Sequence, residues 1–217
     1  MGATVRPRGR QRTDLKRLGI FGGTFDPVHY GHLICADQLR QALDLDLVIF
    51  VPCNRSPHKP GYRPAAARHR LRMAELATRD VPGFAISDLE TRRGGASYTV
   101  ETIRQIRRQY GKGVQLWLLM GMDAYRDVRS WKEPDAILRE CYLGVACRPG
   151  YGRPRMGATG RARFVEITSV DISSTVIRRR VRLGRTVRFL MPEAVETYIR
   201  RNRLYGSART EGRTPGA

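Results

Sequence analysis

Short apolar runs alternate along the chain with longer segments in which apolar residues recur every three or four positions. The short runs are rich in Val, Ile, Leu and Phe, which is typical of buried strands, and the longer periodicity is typical of helices that bury one face. Strands are predicted at 18–21, 47–51, 84–86, 116–120, 142–146 and 164–167. Helices are predicted at 31–43, 65–78, 97–110, 134–139, 174–183 and 192–202.

The alternation of strand and helix predicts the fold class. Neighbouring parallel strands need a long crossover, which is usually a helix packed on the sheet. We therefore expect a single α/β domain, built as a Rossmann-like, doubly wound parallel sheet with helices on both faces. Ligands of such sheets bind at the carboxyl ends of the strands, where the strand order reverses. The Gly22–Gly23 pair follows the first predicted strand and should lie there.

The two ends of the chain lack this pattern. Residues 1–17 are polar and basic, which predicts a disordered arm, and residues 206–217 are rich in Gly, Ser, Thr and Pro, which predicts a flexible tail. The folded domain is expected to span 18–205. Within it, the segments 52–64 and 148–161 are predicted loops.

Composition narrows the class of protein. The 217 residues are 41% hydrophobic, enough for one sizeable core. No apolar run approaches the roughly 20 residues that span a bilayer, and no signal peptide precedes the first strand, so we expect a cytoplasmic protein without a membrane partner. The cysteines lack the spacing of a zinc site and are expected to be reduced thiols; they are Cys35, Cys53, Cys141 and Cys147.

The net charge of +20 raises the question of nucleic-acid binding. The charge is spread over the body of the chain, and no reader motif or aromatic-studded surface accompanies it. A small polyanionic substrate would also favour a positive cleft. A nucleic-acid partner is therefore not favoured, and the oligomeric state, including a homo-oligomer, stays open.

An anion site is predicted in the segment Gly22–His32, which reads GGTFDPVHYGH. Glycine lets the backbone approach a ligand, and the start of the following helix offers unpaired N–H groups. His29 and His32 are three residues apart, so they can share a face and add donors that carry charge near neutral pH. They could be a metal pair, structural histidines or a phosphate-binding pair; the last fits the glycine loop and the helix start.

A second candidate phosphate site lies far downstream, in Ile172–Arg178 (ISSTVIR). Ser173, Ser174 and Thr175 open a predicted helix, where serine commonly caps free N–H groups. The same hydroxyl and N–H groups can hold phosphate oxygens. Arg178 falls one turn into the helix and can bind a phosphate with two parallel hydrogen bonds.

These two segments resemble the H-x-G-H and I-S-S-T-x-I-R segments of the nucleotidyltransferase α/β-phosphodiesterase superfamily. The first is especially similar to that of the bacterial nicotinate-nucleotide adenylyltransferases. Further similar pieces lie between them, at 51–59, 97–99 with Thr102, 121–123, Trp131 and 148–151. The resemblance covers about residues 18–205.

The resemblance implies transfer of the adenylyl group from ATP to nicotinate mononucleotide, giving deamido-NAD and pyrophosphate in NAD biosynthesis. The attacking group is already a phosphate oxygen, so the reaction needs positioning and charge stabilisation and no covalent intermediate. Mg²⁺ would be carried by the ATP phosphates, without metal ligands from the protein. Alternative acceptors within the superfamily are nicotinamide mononucleotide and phosphopantetheine.

The resemblance also implies roles for individual residues. Catalytic roles fall to His32, His29, Lys59 and Arg178. Contacts with ATP fall to Gly22, Gly23, Thr24, Phe25, His29, His32, Gly121, Asp123, Ile172, Ser173, Ser174 and Arg178. Contacts with nicotinate mononucleotide fall to Lys59, Tyr98, Thr99, Thr102 and Trp131. Arg148 and Tyr151 are weaker candidates near the nucleotide.

Three of these residues have an ordinary structural alternative. Lys59 could be a solvated loop lysine, and Ser56 stands nearby where many relatives have a second proline. Asp123 could be the N-cap of a helix rather than a ribose contact, although the two roles can coexist. Trp131 could lie in a surface patch rather than stack on the pyridine ring.

Overall fold

Six parallel strands form one sheet in the computed structural model, which describes residues 15–57, 61–148 and 160–206. The strands are β1 (Arg17–Gly23), β2 (Leu47–Pro52), β3 (Phe84–Ile86), β4 (Gln115–Gly121), β5 (Tyr142–Cys147) and β6 (Ala162–Glu166). Their order across the sheet is β3-β2-β1-β4-β5-β6. The chain therefore winds outwards twice from the centre, as predicted, and the order reverses between β1 and β4.

Eight α-helices connect or follow these strands in the described part of the chain. They are α1 (Tyr30–Ala42), α2 (Ala67–Thr78), α3 (Leu89–Arg93), α4 (Thr99–Tyr110), α5 (Met122–Asp127), α6 (Pro134–Glu140), α7 (Ser174–Arg182) and α8 (Glu193–Arg201). The six predicted helices are all present, with no end shifted by more than two residues. The sequence missed α3 and α5 because segments of five and six residues are too short to show a helical period.

Alternate residues of the central strands enter two separate cores, one on each face of the sheet. In β2, Val48 and Phe50 pack into the first core and Ile49 and Val51 into the second. The first core includes side chains of α1, α2, α7 and α8, and the second includes side chains of α4 and α6, with α3 and α5 packed against it. Every residue of β2 is buried, which explains its uninterrupted apolar sequence.

The folded domain begins earlier than predicted. Leu15 is only 5% exposed and belongs to the second core, and the backbone N–H groups of Lys16 and Arg17 donate to Asp46 Oδ2 at 2.8 and 2.9 Å. The predicted arm boundary at residue 17 is therefore too late, because burial and β-pairing already fix residues 15–17. The rest of the arm, residues 1–14, lies outside the described residues, as do residues 207–217 of the predicted tail.

The four cysteines, all within the described residues, are thiols outside any disulfide, and three of them are buried. Burial raises the pKa of the Cys35 and Cys141 thiols to about 12, so both stay protonated at neutral pH. Over the ranges that the structure describes, no helix is both long and apolar enough to cross a membrane.

Candidate active site

A cavity of about 240 Å³ opens at the carboxyl ends of β1 and β4, where the strand order reverses. Gly22 and Gly23 line it at the end of β1, Thr24 lines it just after that strand, and Gly121 lines it at the end of β4. Thr99, Thr102 and Trp131 line it from the second face of the sheet. Residues predicted to bind two different substrates thus share one cavity, at the place that the topology favours.

The glycine turn brings backbone rather than side chains to this cavity. A Cβ atom at Gly23 would lie 2.8 Å from the Phe25 ring, so only glycine fits there. Phe25 has a positive φ of 48° and is 2% exposed, because its ring packs against Phe21 and Phe50 in the first core. Phe25, a predicted ATP contact, can therefore contribute its backbone N–H but not its ring.

His29 and His32 lie side by side at the start of α1. Their ring centroids are 3.7 Å apart, and the His29 backbone N–H donates to His32 Nδ1 at 3.3 Å. The rings of Phe25 and His32 make an edge-to-face contact, with their centroids 5.1 Å apart. This contact packs the histidine pair against the first core. The spacing in the sequence correctly predicts that the two imidazoles share one face.

Burial changes the expected charge of His29. The residue is 6% exposed, and desolvation lowers its pKa from 6.5 to about 4. The expectation that both histidines can carry charge near neutral pH is therefore wrong for His29, since the positive form would be stranded away from water. Its Nδ1 atom is buried beside Gly31 at the start of α1.

The second motif meets the glycine loop at the start of α7. The Ser174 hydroxyl donates to the Pro27 carbonyl at 2.9 Å, and Arg178 Nη1 donates to the Asp26 carbonyl at 2.8 Å. Ser173 is the N-cap of α7, and its Oγ accepts from the Val176 N–H at 3.3 Å. Two segments far apart in the sequence are thus in direct contact beside the cavity, although neither Asp26–His32 nor Ile172–Arg178 lines it. The hydroxyls of Ser173 and Ser174 already make structural bonds.

Arg178 is held in place on several sides. Its Nη2 donates to Thr175 Oγ1 at 3.2 Å, its guanidinium lies 5.2 Å from the centre of the Tyr62 ring, and its side chain is only 16% exposed. Ile172 is half-buried and packs against the first core, so its side chain anchors this segment. The arginine is oriented along the loop that carries the glycine turn.

Gly121 and Asp123 occupy the end of β4 and the first turn of α5. Gly121 is the N-cap of α5, so the alternative that Asp123 caps this helix is wrong. The Asp123 side chain is fully exposed, and its Oδ1 atom lies 3.8 Å from Arg126 Nη1. Its carboxylate is therefore accessible, next to a residue that lines the cavity.

The predicted acceptor residues divide into two groups. Thr99 and Trp131 line the cavity and are half-buried, so both can contact a ligand. Thr102 also lines the cavity but is 2% exposed, and its hydroxyl already makes a structural bond by donating to Glu90 Oε1 at 2.5 Å. The Tyr98 ring faces Lys132 Nζ, 4.4 Å from its centroid, and does not line the cavity.

Glu90 is a cavity residue that the sequence did not reveal. It is 6% exposed, and burial raises the pKa of its carboxyl against the opposing effect of the Thr102 and Ser97 hydrogen bonds. It lies in α3, the short helix that the periodicity missed, so no pattern pointed to its burial.

Arg70 is a second residue that sequence reasoning missed. It is 1% exposed and donates to four carbonyls, those of Ala65, Thr24, Cys53 and Asn54, at 2.6–2.9 Å. Its guanidinium therefore links Thr24, which follows β1, to Cys53 and Asn54, which follow β2. One feature of the sequence could have revealed this burial. Arg70 lies on the same face of α2 as the apolar residues Met73, Ala74 and Ala77.

Three residues singled out in the sequence lie outside the described residues. They are His58, Lys59 and Tyr151, and their roles stay predictions. Ser56, beside them, lines the cavity, and Arg148 is exposed at the end of the described segment 61–148. Across the described ranges, no group of three or more His, Cys, Asp or Glu side chains could hold a metal ion.

Comparison with known proteins places this site in context. The cytidylyltransferase-like family model matches residues 20–180. A protein of Moorella thermoacetica named "probable nicotinate-nucleotide adenylyltransferase" is 46% identical over 198 residues, which cover 87% of this chain and 91% of that protein. A protein of the same name from Thermomicrobium roseum is 43% identical, with 88% and 92% coverage.

The chain is also similar to a solved structure, Plasmodium falciparum nicotinic acid mononucleotide adenylyltransferase complexed with NaAD. The TM-score is 0.74, and the match covers 89% of this chain and 98% of that one. At 17% sequence identity, this likeness shows the fold alone.

Proposed function

The chain belongs to the nicotinate-nucleotide adenylyltransferase family, and from that premise we propose that it transfers the adenylyl group of ATP to nicotinate mononucleotide in NAD biosynthesis. The products are deamido-NAD and pyrophosphate. The observation that carries the proposal is a single cavity lined by the glycine turn on one side and by Thr99 and Trp131 on the other. Two substrates bound there would meet at the carboxyl ends of β1 and β4.

The transfer requires one bond to form and one to break. A phosphate oxygen of nicotinate mononucleotide attacks the α-phosphorus of ATP, and the bond from that phosphorus to the bridging oxygen of pyrophosphate breaks. The nucleophile carries no proton that must be removed at neutral pH, so no general base is needed. The barrier comes from bringing two polyanions together and from charge that develops on the leaving group.

Groups around the glycine turn are suited to this charge. The backbone N–H groups near Gly23 and Phe25 are the proposed donors. The start of α1 adds the positive end of a helix dipole, although the N–H groups of His29, Tyr30 and His32 already have protein partners. His32, against the Phe25 ring, and the oriented guanidinium of Arg178 lie outside the cavity lining, and their proposed role is to reach phosphate oxygens that extend beyond it. His29, neutral when the site is empty, gains a proton more readily once a phosphate lies against it, because opposite charge favours the protonated form.

Mg²⁺ enters this scheme as part of the substrate. A bound Mg²⁺ would be held chiefly by the phosphate oxygens of ATP. Mg²⁺ commonly binds through substrate phosphates and keeps several waters. It neutralises part of the triphosphate charge there.

The acceptor lies on the opposite side of the cavity. The half-buried Trp131 side chain offers a ring face on which the pyridine can stack, and Thr99 opens α4 beside it. Lys59 is expected to reach the acceptor phosphate. A cytoplasmic location stays a prediction from the sequence.

Pyrophosphate release separates the candidate acceptors. The protein is incubated with ATP and Mg²⁺ and with nicotinate mononucleotide, nicotinamide mononucleotide or phosphopantetheine in turn. We expect the highest kcat/KM with nicotinate mononucleotide and no release without an acceptor. No release with that acceptor, or a higher kcat/KM with either of the other two, contradicts the proposal.

A further inference from the structure

Asp26 carries a buried carboxylate below the glycine turn that the proposed chemistry does not use. The residue is 2% exposed. Its Oδ1 accepts hydrogen bonds from the Tyr205 hydroxyl at 2.7 Å and from the Ala65 N–H at 3.2 Å, and its Oδ2 accepts a short bond from the Tyr62 hydroxyl. Donors from two distant segments therefore converge on one side chain.

Both tyrosines act as donors to this carboxylate at neutral pH. Burial, together with the hydrogen bond and charge of Asp26, raises the pKa of Tyr62 to about 12. Burial and the charge of Asp26 also raise the pKa of Tyr205. Removing either hydroxyl would leave a buried carboxylate oxygen with one donor fewer, which is costly in a dry environment.

The backbone around the same side chain holds the start of α7. The carbonyl of Asp26 accepts from Arg178 Nη1 at 2.8 Å, and the carbonyl of Pro27 accepts from the Ser174 hydroxyl at 2.9 Å. Arg178 Nη1 also lies 3.8 Å from Asp26 Oδ2. The placement of the arginine therefore depends on where the side chain and backbone of residue 26 are fixed.

We propose that Asp26 is a positioning residue for Arg178, and that Tyr205 in the C-terminal turn Leu204–Gly206 fixes Asp26 for this task. The inference rests on the proposed function, in which Arg178 binds phosphate oxygens of ATP. A guanidinium oriented before ATP arrives loses less conformational freedom on binding, so ATP binds more tightly. Tyr205 does not line the cavity and acts only through Asp26.

Tyr205→Phe tests the link, and Tyr198→Phe is its matched control. Tyr198 lies in α8, and its hydroxyl is 2.9 Å from His69 Nδ1, a bond outside the cavity lining. We expect Tyr205→Phe to weaken binding of a non-hydrolysable ATP analogue with Mg²⁺ by up to about tenfold, the cost of ordering one long side chain, here Arg178, on binding. Tyr198→Phe should bind the analogue like the natural chain. Unchanged binding by Tyr205→Phe, or equal losses in both variants, overturns the proposal.

A double-mutant cycle distinguishes positioning from a general loss of stability. In an Arg178→Ala background, Tyr205→Phe should change the affinity for the ATP analogue by less than about twofold, because the residue that it positions is gone. It should still lower the melting temperature as it does in the natural background. A full tenfold loss in both backgrounds shows that Tyr205 does not act through Arg178.

The analogue also separates this inference from the proposed function. Its binding needs no acceptor, so a chain that binds it yet makes no deamido-NAD contradicts the proposed transfer and leaves the tyrosine comparison intact. If deamido-NAD forms while the two tyrosine variants bind the analogue equally, the transfer stands and the positioning role is refuted.

Discussion

The burial of His29 makes the stability of the protein depend on pH in a way that one substitution can isolate. Its pKa is lowered from 6.5 to about 4 in the folded chain, because the charged imidazole would lose its contact with water. The unfolded chain therefore binds a proton on this residue at a higher pH than the folded chain does. Stability is fully present above pH 6.5 and falls as the pH drops from 6.5 towards 4.

The magnitude follows from the same two values. Each pH unit between them costs about 1.4 kcal/mol, so at about pH 5 the free energy of unfolding is lower by about 2 kcal/mol than at about pH 7.5. Other titrating groups, including His69, whose pKa is lowered by burial and by the charge of Arg68, add their own pH dependence. Those contributions are shared with a His29→Gln variant and cancel in a comparison.

Urea unfolding followed by circular dichroism measures this difference. Both proteins are unfolded at about pH 7.5 and at about pH 5, and the loss of stability between the two is compared. We expect the natural chain to lose about 2 kcal/mol more than His29→Gln, because glutamine cannot take up the proton. Losses that agree within about 0.5 kcal/mol show that His29 titrates normally and that the reasoning from burial is wrong.

Three further substitutions test separate parts of the site. Thr102→Val removes the hydroxyl that donates to Glu90 and should lower the free energy of unfolding, measured in urea at neutral pH, by about 1–3 kcal/mol. A change below about 0.5 kcal/mol contradicts the structural role of this bond. Trp131→Ala should raise the KM for nicotinate mononucleotide by about tenfold with the KM for ATP unchanged, and an unchanged acceptor KM rules out stacking. Gly23→Ala places a methyl group 2.8 Å from the Phe25 ring and should lower both the melting temperature and kcat. Unchanged values in both assays would show that the loop can adapt to the methyl group.

Much of the fold could be predicted because both faces of the sheet are covered. Strands such as β2 are buried on both sides and read as continuous apolar runs, while α4 shows a clear apolar stripe of Val100, Ile103 and Ile106. The short helices α3 and α5 could not be found in this way, since neither completes two turns. The burial of Leu15 was missed because a single apolar residue in a basic segment has no period.

The location of the site was predictable, but the state of its residues was not. A glycine turn after the first strand marks the carboxyl end of a parallel sheet, and the structure places it on the cavity. The partners of Asp26 and Arg178 depend on contacts between segments 152 and 179 residues apart, which no local pattern encodes. The same holds for the depressed pKa of His29, which follows from how deeply the loop is packed.

The fate of the α-phosphorus tests the proposed transfer most directly. The protein is incubated with nicotinate mononucleotide, Mg²⁺ and ATP radiolabelled at either the α- or the γ-phosphorus, and the products are separated by chromatography. We expect the α-label in deamido-NAD and the γ-label only in pyrophosphate. Label from the γ-phosphorus in the nucleotide product, or no α-labelled dinucleotide at all, contradicts adenylyl transfer by this chain.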